Sequence, residues 1–155
     1  MRFYIVIPAH NEANFIGTTL QSLINQTLPP TKVVVVDDHS SDETAFIVTD
    51  LSKHHPWISL VTNTSSEKHL PGGKIITAFY KGYEVLDAEY DVICKYDADV
   101  IFPENYLETL ARHYQKNPRL GMVSVQIYNI LNGTFSVGLF TTNDNRTFIV
   151  LHCSG

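Results

Sequence analysis

Cysteine is scarce: Cys94 and Cys153 are the only two in the chain. So placed, they form neither a metal-ligand spacing nor a disulfide framework, which excludes a cysteine-stapled secreted scaffold and points to a reducing compartment. Positive charge is in deficit as well. The 11 Lys and Arg stand against 16 Asp and Glu, a formal charge of −5 with no long basic run, so no nucleic acid partner is expected. No apolar stretch approaches the roughly 20 residues that a membrane-spanning helix needs. Met1 to Pro8 is too short and too soon interrupted for a signal peptide. No transmembrane segment is therefore expected, and the chain reads as cytoplasmic, with a peripheral place at the inner membrane face open to it. No Gly-x-Gly-x-x-Gly follows any predicted strand, which removes a Rossmann dehydrogenase. His54, His55 and His69 lack metal-ligand spacing, and the Asn-x-Ser/Thr triplets at Asn25, Asn63, Asn132 and Asn145 read as chance.

What is present is enough for one α/β domain: 155 residues, 44% of them hydrophobic. Apolar runs alternate with amphipathic segments. Phe3 to Ile7 reads as a buried strand stopped by Pro8, and from Asn14 the residues Ile16, Leu20, Leu23 and Ile24 fall at helical spacing until Pro29-Pro30. Val33 to Val36 has the all-valine character of a parallel strand covered on both faces. Ser40 and Glu43 stand at capping-box spacing before a second helix that runs through Leu51. Ile58 to Val61 predicts a third strand, and Ile76, Phe79, Tyr83 and Leu86 the apolar face of a third helix. Val92 to Tyr96 predicts a fourth strand, and Glu104 to Lys116 a fourth helix with Leu107, Leu110, Ala111 and Tyr114 inward. This alternation implies right-handed crossovers and a mostly parallel sheet. Beyond it, Met122 to Ile127 and Thr147 to Leu151 read as strands, and Asn132-Gly133 signals a C-terminal β-hairpin.

The chemistry concentrates at the carboxyl ends of the predicted strands: Ala9-His10-Asn11-Glu12, Asp37-Asp38, the Gly72-Gly73-Lys74 loop, and Asp97 with Asp99. In a parallel sheet these lie along one edge, where ligands bind. Asp97 and Asp99, one residue apart, repel each other at neutral pH unless a cation lies between them. An oxygen-preferring divalent ion, Mg²⁺ or Mn²⁺, supplies that charge. A carboxylate accepts the N–H of a pyrimidine ring, a glycine loop admits a diphosphate to backbone N–H groups, and a lysine adds charge. Each residue also has a plain structural reading. Asp97 and Asp99 can be turn residues or a cap for the helix after Pro103, Glu12 a first-turn acid, Asp37 and Asp38 turn and cap residues, and Lys74 a solvated charge.

Four segments together resemble the family 2 glycosyltransferases: Tyr4-Ile5-Val6-Ile7-Pro8-Ala9-His10-Asn11-Glu12, Ser22-Leu23-Ile24-Asn25-Gln26-Thr27, Val34-Val35-Val36-Asp37-Asp38-His39-Ser40-Ser41-Asp42-Glu43-Thr44 and Tyr96-Asp97-Ala98-Asp99. The resemblance runs from residue 3 to about 121, in the family's order. It implies a Rossmann-like GT-A fold that binds a nucleotide-diphosphate sugar, most commonly of uridine diphosphate. It implies transfer to a glycan or lipid-linked acceptor hydroxyl with inversion at the anomeric carbon, in polysaccharide assembly. By the same resemblance Pro8, Ala9, Glu12 and Asp38 border the nucleoside, with Asp38 facing the base. Lys74 lies near the donor, Asp97 near the ribose, and Asp99 binds the metal that bridges the diphosphate.

Family members usually continue into an acceptor half that brings the catalytic base, whereas this sequence ends at Gly155. Asp144 is the single carboxylate after Glu108 and reads as a turn residue, so no catalytic base is assigned. Residues 1–155 are accordingly expected to form one nucleotide-sugar-binding domain, truncated at the acceptor half. Two alternatives stand beside the transferase. One is a nucleotide-sugar-binding module without transfer activity. The other is a haloacid-dehalogenase-type phosphatase, whose nucleophile motif is also Asp-x-Asp after an apolar strand but on the first strand.

Overall fold

The structure, a computed structural model, describes residues 1–63, 73–117, 120, 122–125, 137–140 and 148–150. In chain order the elements are β1 (Phe3–Ala9), α1 (Ile16–Ile24), β2 (Lys32–Asp37), α2 (Thr44–His54), β3 (Ile58–Thr62), α3 (Gly73–Glu84), β4 (Val92–Lys95), α4 (Tyr106–Lys116), β5 (Met122–Val125), β6 (Val137–Phe140) and β7 (Phe148–Val150). The strands form one sheet in the order β3-β2-β1-β4-β7-β5-β6. Strands β1 to β4 are parallel, β7 joins β4 in parallel, and β6 runs antiparallel to β5. The Asn132-Gly133 turn expected between β5 and β6 lies outside the described residues.

Period-two alternation sorts the sheet onto two cores. Phe3, Ile5 and Ile7 of β1 and Val33 and Val35 of β2 face α1, α2 and α4, meeting Ile16, Leu20, Leu23, Val48, Leu107 and Leu110. Tyr4, Val6, Val34 and Val36 face the other way, onto α3. Covering both faces explains why these strands read as unbroken apolar runs. Cys94 sits fully buried in β4, and burial pushes its thiol up to about 12, which leaves it unreactive.

Two expectations about these elements are corrected. Ile76 is 59% exposed; the core face of α3 is Ala78, with Phe79, Tyr83 and Leu86 packed beside it. Ile76, two residues before Ala78, lies about 200° round the helix from it, and the helix comes close to the sheet at Gly82, where a Cβ would come within 2.5 Å of Val6 Cγ1 and 2.8 Å of Val36 Cγ2. Nor does Pro8 stop β1, which continues to Ala9 with Pro8 opposite Val36. The carbonyls of Phe3 and Ala9 accept bonds from the β2 side and that of Val6 from Tyr96 on the β4 side, so the missing N–H of Pro8 faces β4. The β1–β4 ladder ends at Val6 opposite Lys95, so no bond is lost there.

That divergence positions the site. From β1 the chain winds outward through β2 to β3, then returns to place β4 on the opposite side of β1. The gap between the ends of β1 and β4 is a topological switch point, where α/β sheets hold their ligands.

Candidate functional site

The loops that follow β1 and β2 are stitched together. Asp38 N–H donates to the Ala9 carbonyl at 2.8 Å, and His10 Nδ1 lies 2.6 Å from the Asp38 carbonyl. A carbonyl only accepts, so Nδ1 carries the proton and Nε2 faces Asn11 Nδ2 at 3.3 Å as acceptor. Asn11 N–H donates to Ser40 Oγ, and Asn11 Oδ1 takes the Ser41 N–H at 2.8 Å. Asn11 and His39 hold positive φ angles of 56° and 59°, a conformation that Asn and His adopt more readily than bulkier residues. Glu12 N–H donates to Thr44 Oγ1, and Ala13 N–H to Asp42 Oδ2.

These bonds explain why the capping box fails. Helix α2 begins at Thr44 without a side-chain cap, because Ser40 is engaged by Asn11. Asp42 takes the Thr44 N–H and hydroxyl instead, and these contacts, Thr44's hydroxyl foremost, lower its pKa below the ordinary carboxylate value.

Across the switch point, β4 delivers the acidic pair. Tyr96 N–H closes on the Val6 carbonyl at 3.1 Å, after which the chain turns through Asp97, Ala98 and Asp99. Lys95 Nζ meets Asp97 Oδ1 at 2.5 Å. Asp99 is exposed, and among the described residues no hydrogen bond or ion pair engages its carboxylate. On the β2 side, Asn63 Nδ2 donates to Asp38 Oδ1 at 2.8 Å, and His39 Nδ1 lies 3.2 Å from the same oxygen.

The result is a cleft of about 390 Å³ bordered by Pro8, Ala9, Glu12, Asp38, Asp97 and Asp99, with His10, Ala98 and, from α3, Ile75 and Ala78. That is the size of a small-molecule site. Six of the seven residues singled out in the sequence thus come together. Lys74 lies in the first turn of α3, with its side chain outside the described residues.

The cleft is electronegative. Burial raises the pKa of Glu12 above its ordinary 4.5, and the charges of Asp99, Asp42 and Asp97 raise it further. Among the described residues no three His, Cys, Asp or Glu side chains converge into a metal cage. The donor set instead suits a hard divalent ion shared with a ligand's phosphates, because Mg²⁺-type sites use one or two carboxylates and complete their shell with water and phosphate oxygens.

Lys95, Asn63 and the small Ala78 were not picked out in the sequence. Lys95 carried a signal, a cation on an otherwise apolar strand two residues before Asp97. Asn63 sits 25 residues from Asp38, and nothing in the linear pattern joins them.

Known proteins share this architecture. A sequence model of glycosyl transferase family 2 matches residues 4–149, well past Gly121, where the reading of the sequence ended the resemblance. The 4,4'-diaponeurosporenoate glycosyltransferase of Staphylococcus aureus (strain USA300) is 37% identical over 127 residues, 81% of this chain and 32% of that protein. Residues 1–349 of Staphylococcus aureus TarS, solved in complex with UDP, superpose with a TM-score of 0.65 at 23% identity, covering 86% of this chain and 38% of that one. The mannosyltransferase PcManGT of Pyrobaculum calidifontis, solved with GDP-Man and Mn²⁺, gives a TM-score of 0.60 at 24% identity, covering 83% and 36%. At these identities the two structures share the GT-A fold with this chain. The chain spans 27% to 32% of the length of the curated relatives it matches. The motif Asp97-Ala98-Asp99 follows the fourth strand, which leaves the phosphatase alternative without support.

Proposed function

The chain belongs to glycosyl transferase family 2, and from that premise we propose that it is the donor-binding part of an enzyme that moves a sugar from a nucleotide diphosphate to an acceptor hydroxyl. The observation that carries the reading is the convergence of Glu12, Asp38, Asp97 and Asp99, from the ends of β1, β2 and β4, on one cleft at the switch point. The ligands of the structural relatives, UDP in one and GDP-Man with Mn²⁺ in the other, support it.

In this reading Pro8, Ala9 and Glu12 border the nucleoside. Asp38, its Oδ1 held by Asn63, presents Oδ2 to a ring N–H of the base, uracil by preference. Lys74 lies near the donor. Asp97 stands beside the ribose, oriented by Lys95. Asp99 holds a divalent ion, Mn²⁺ or Mg²⁺, and Glu12 and Asp97 add to the negative potential that draws it in. When bound, that ion acts as a Lewis acid toward the leaving diphosphate. Inversion at the anomeric carbon requires a general base on the opposite face of the sugar. The reading assigns none, and Asp144 lies outside the described residues.

Residues 1–155 are read as one nucleotide-sugar-binding domain, which the match of the family model to residues 4–149 supports. The reading extends to a cytoplasmic place at the inner membrane face and a glycan or lipid-linked acceptor. A second reading is a donor-binding module without transfer of its own. Among the described residues no helix is long and apolar enough to cross a membrane.

Calorimetric titration with uridine, guanosine and thymidine diphosphates, with and without Mn²⁺, tests the donor site. One nucleotide is expected to bind in a Mn²⁺-dependent manner that Asp99→Ala removes. A folded chain that binds none of them refutes the site. Transfer or donor hydrolysis separates the enzyme from the module.

A further inference from the structure

Helix α1 is anchored to the sheet by Ile16, Leu20 and Leu23, all fully buried. Beside that stripe lie Thr19 and Ser22, polar residues that are themselves buried. A buried hydroxyl in a helix commonly bonds a carbonyl of its own preceding turn. Thr19 does otherwise: its hydroxyl donates to the carbonyl of Ala98, 79 residues away, at 2.7 Å. One turn on, Ser22 Oγ accepts the Phe102 N–H at 3.1 Å and donates to the Thr19 carbonyl at 2.7 Å. A single turn of α1 thus pins both ends of the arc from Ala98 to Phe102.

Between the pins stand Asp99, Val100 and Ile101, of which Val100 is buried and Asp99 and Ile101 are exposed. The flanks of the arc are clasped as well. The ring of Tyr96 packs on Phe102 at 4.7 Å between centroids, and Phe102 on Tyr106 at 5.1 Å. Ala98 borders the cleft while its carbonyl is tied to α1, so the tie acts from behind the site. A valine would fill the space of Thr19 equally well. What threonine adds is the bond to the turn.

We propose that Thr19 is a positioning residue for the Asp97-Ala98-Asp99 turn, with Ser22 holding the far end of the same arc. The inference rests on the reading of Asp99 as metal ligand. A carboxylate that shares an ion with a diphosphate must be held to within a fraction of an ångström, and the supporting bonds of its backbone provide this. Thr19 touches neither ion nor sugar in this scheme; it acts through the Ala98 carbonyl.

The test compares the full chain with Thr19→Val, which removes the hydroxyl at constant shape, and Thr19→Ser, which keeps it. In the unliganded protein, amide hydrogen exchange of residues 99–102 is expected to quicken about tenfold in Thr19→Val. Val33 to Val36 of β2 should remain unchanged, and Thr19→Ser should restore parental protection. Titration of Mn²⁺ in the presence of uridine diphosphate should weaken by a similar factor in Thr19→Val and recover in Thr19→Ser. Equal protection of 99–102 in Thr19→Val and the parent overturns the inference. So does a loss of protection that extends through β2, which would make Thr19 a residue of the fold at large. A parent chain without Mn²⁺-dependent binding overturns the metal reading instead, and the exchange comparison still decides whether Thr19 holds the turn.

Discussion

Lys95 Nζ lies 2.5 Å from Asp97 Oδ1, and both side chains are largely covered, at 11% and 23% exposure. The pair separates the two carboxylates of the turn: Asp97 has a cation of its own, and among the described residues Asp99 faces the cleft without one. Lys95→Met strands a partly covered charge and is expected to cost about 2 kcal/mol of unfolding free energy, read from urea denaturation. With Asp97→Asn added, the combined loss should fall short of the sum by about 1 kcal/mol. Strictly additive losses would show that the two residues do not act as a pair.

Glu12 reports the field of the cleft. Its pKa is raised by burial first and by Asp99 next, so a carboxyl-detected NMR titration should show it fall toward 4.5 in Asp99→Asn. The native state holds the Glu12 proton more tightly than the unfolded chain. The associated stability is therefore complete below about 4.5 and is lost as pH rises through the raised native value. Asp99→Asn should reduce that loss, and unfolding measured at pH 4 and pH 7 should converge. An unchanged Glu12 titration would mean that Asp99 contributes nothing to the field.

Asp87 has the opposite sign. The Lys32 ammonium, the Tyr4 hydroxyl and the Glu89 N–H bring its pKa down to about 2 from the ordinary 3.8. Its contribution is complete above 3.8 and disappears as pH falls through about 2. Asp87→Asn should flatten the melting temperature across that acid window and leave nucleotide binding at the distant cleft untouched. A parental acid limb that survives the substitution would assign the acid sensitivity to other carboxylates.

Gly82 is where α3 meets the sheet. Alanine improves helix propensity by roughly 1 kcal/mol, but its Cβ would enter the space of Val6 and Val36, and overpacking of this kind costs about 1–3 kcal/mol. Gly82→Ala should therefore lower the melting temperature, and adding Val6→Ala should recover part of the loss. A gain in stability from Gly82→Ala alone would mean that the helix can shift away from the sheet at little cost.

The frame of this fold was legible because its strands are covered on both faces. Val33 to Val36 announces itself by composition, and Leu107, Leu110, Ala111 and Tyr114 fall inward as their spacing requires. What misled were local rules overruled by neighbours distant in sequence. Pro8 ends a strand only where its missing N–H has a partner to lose, and β4 has already departed. Ser40 and Glu43 are spaced for a cap, but Asn11 takes the Ser40 hydroxyl from another loop. Ile76 keeps the spacing of Phe79 and Tyr83, but the sheet takes the side of the helix that carries Ala78 and Gly82 and leaves Ile76 exposed. The acidic residues of the cleft were visible as strand-end carboxylates. Thr19 was not, since its role exists only once α1 packs beside the segment that follows β4.

The bonds that join Asn11 to Ser40 and Ser41 have an evolutionary corollary. The loops after β1 and β2 share donors and acceptors one for one, so neither can drift in sequence without its counterpart. A chimera that grafts one of them from a relative is expected to fold and bind well only when the other travels with it.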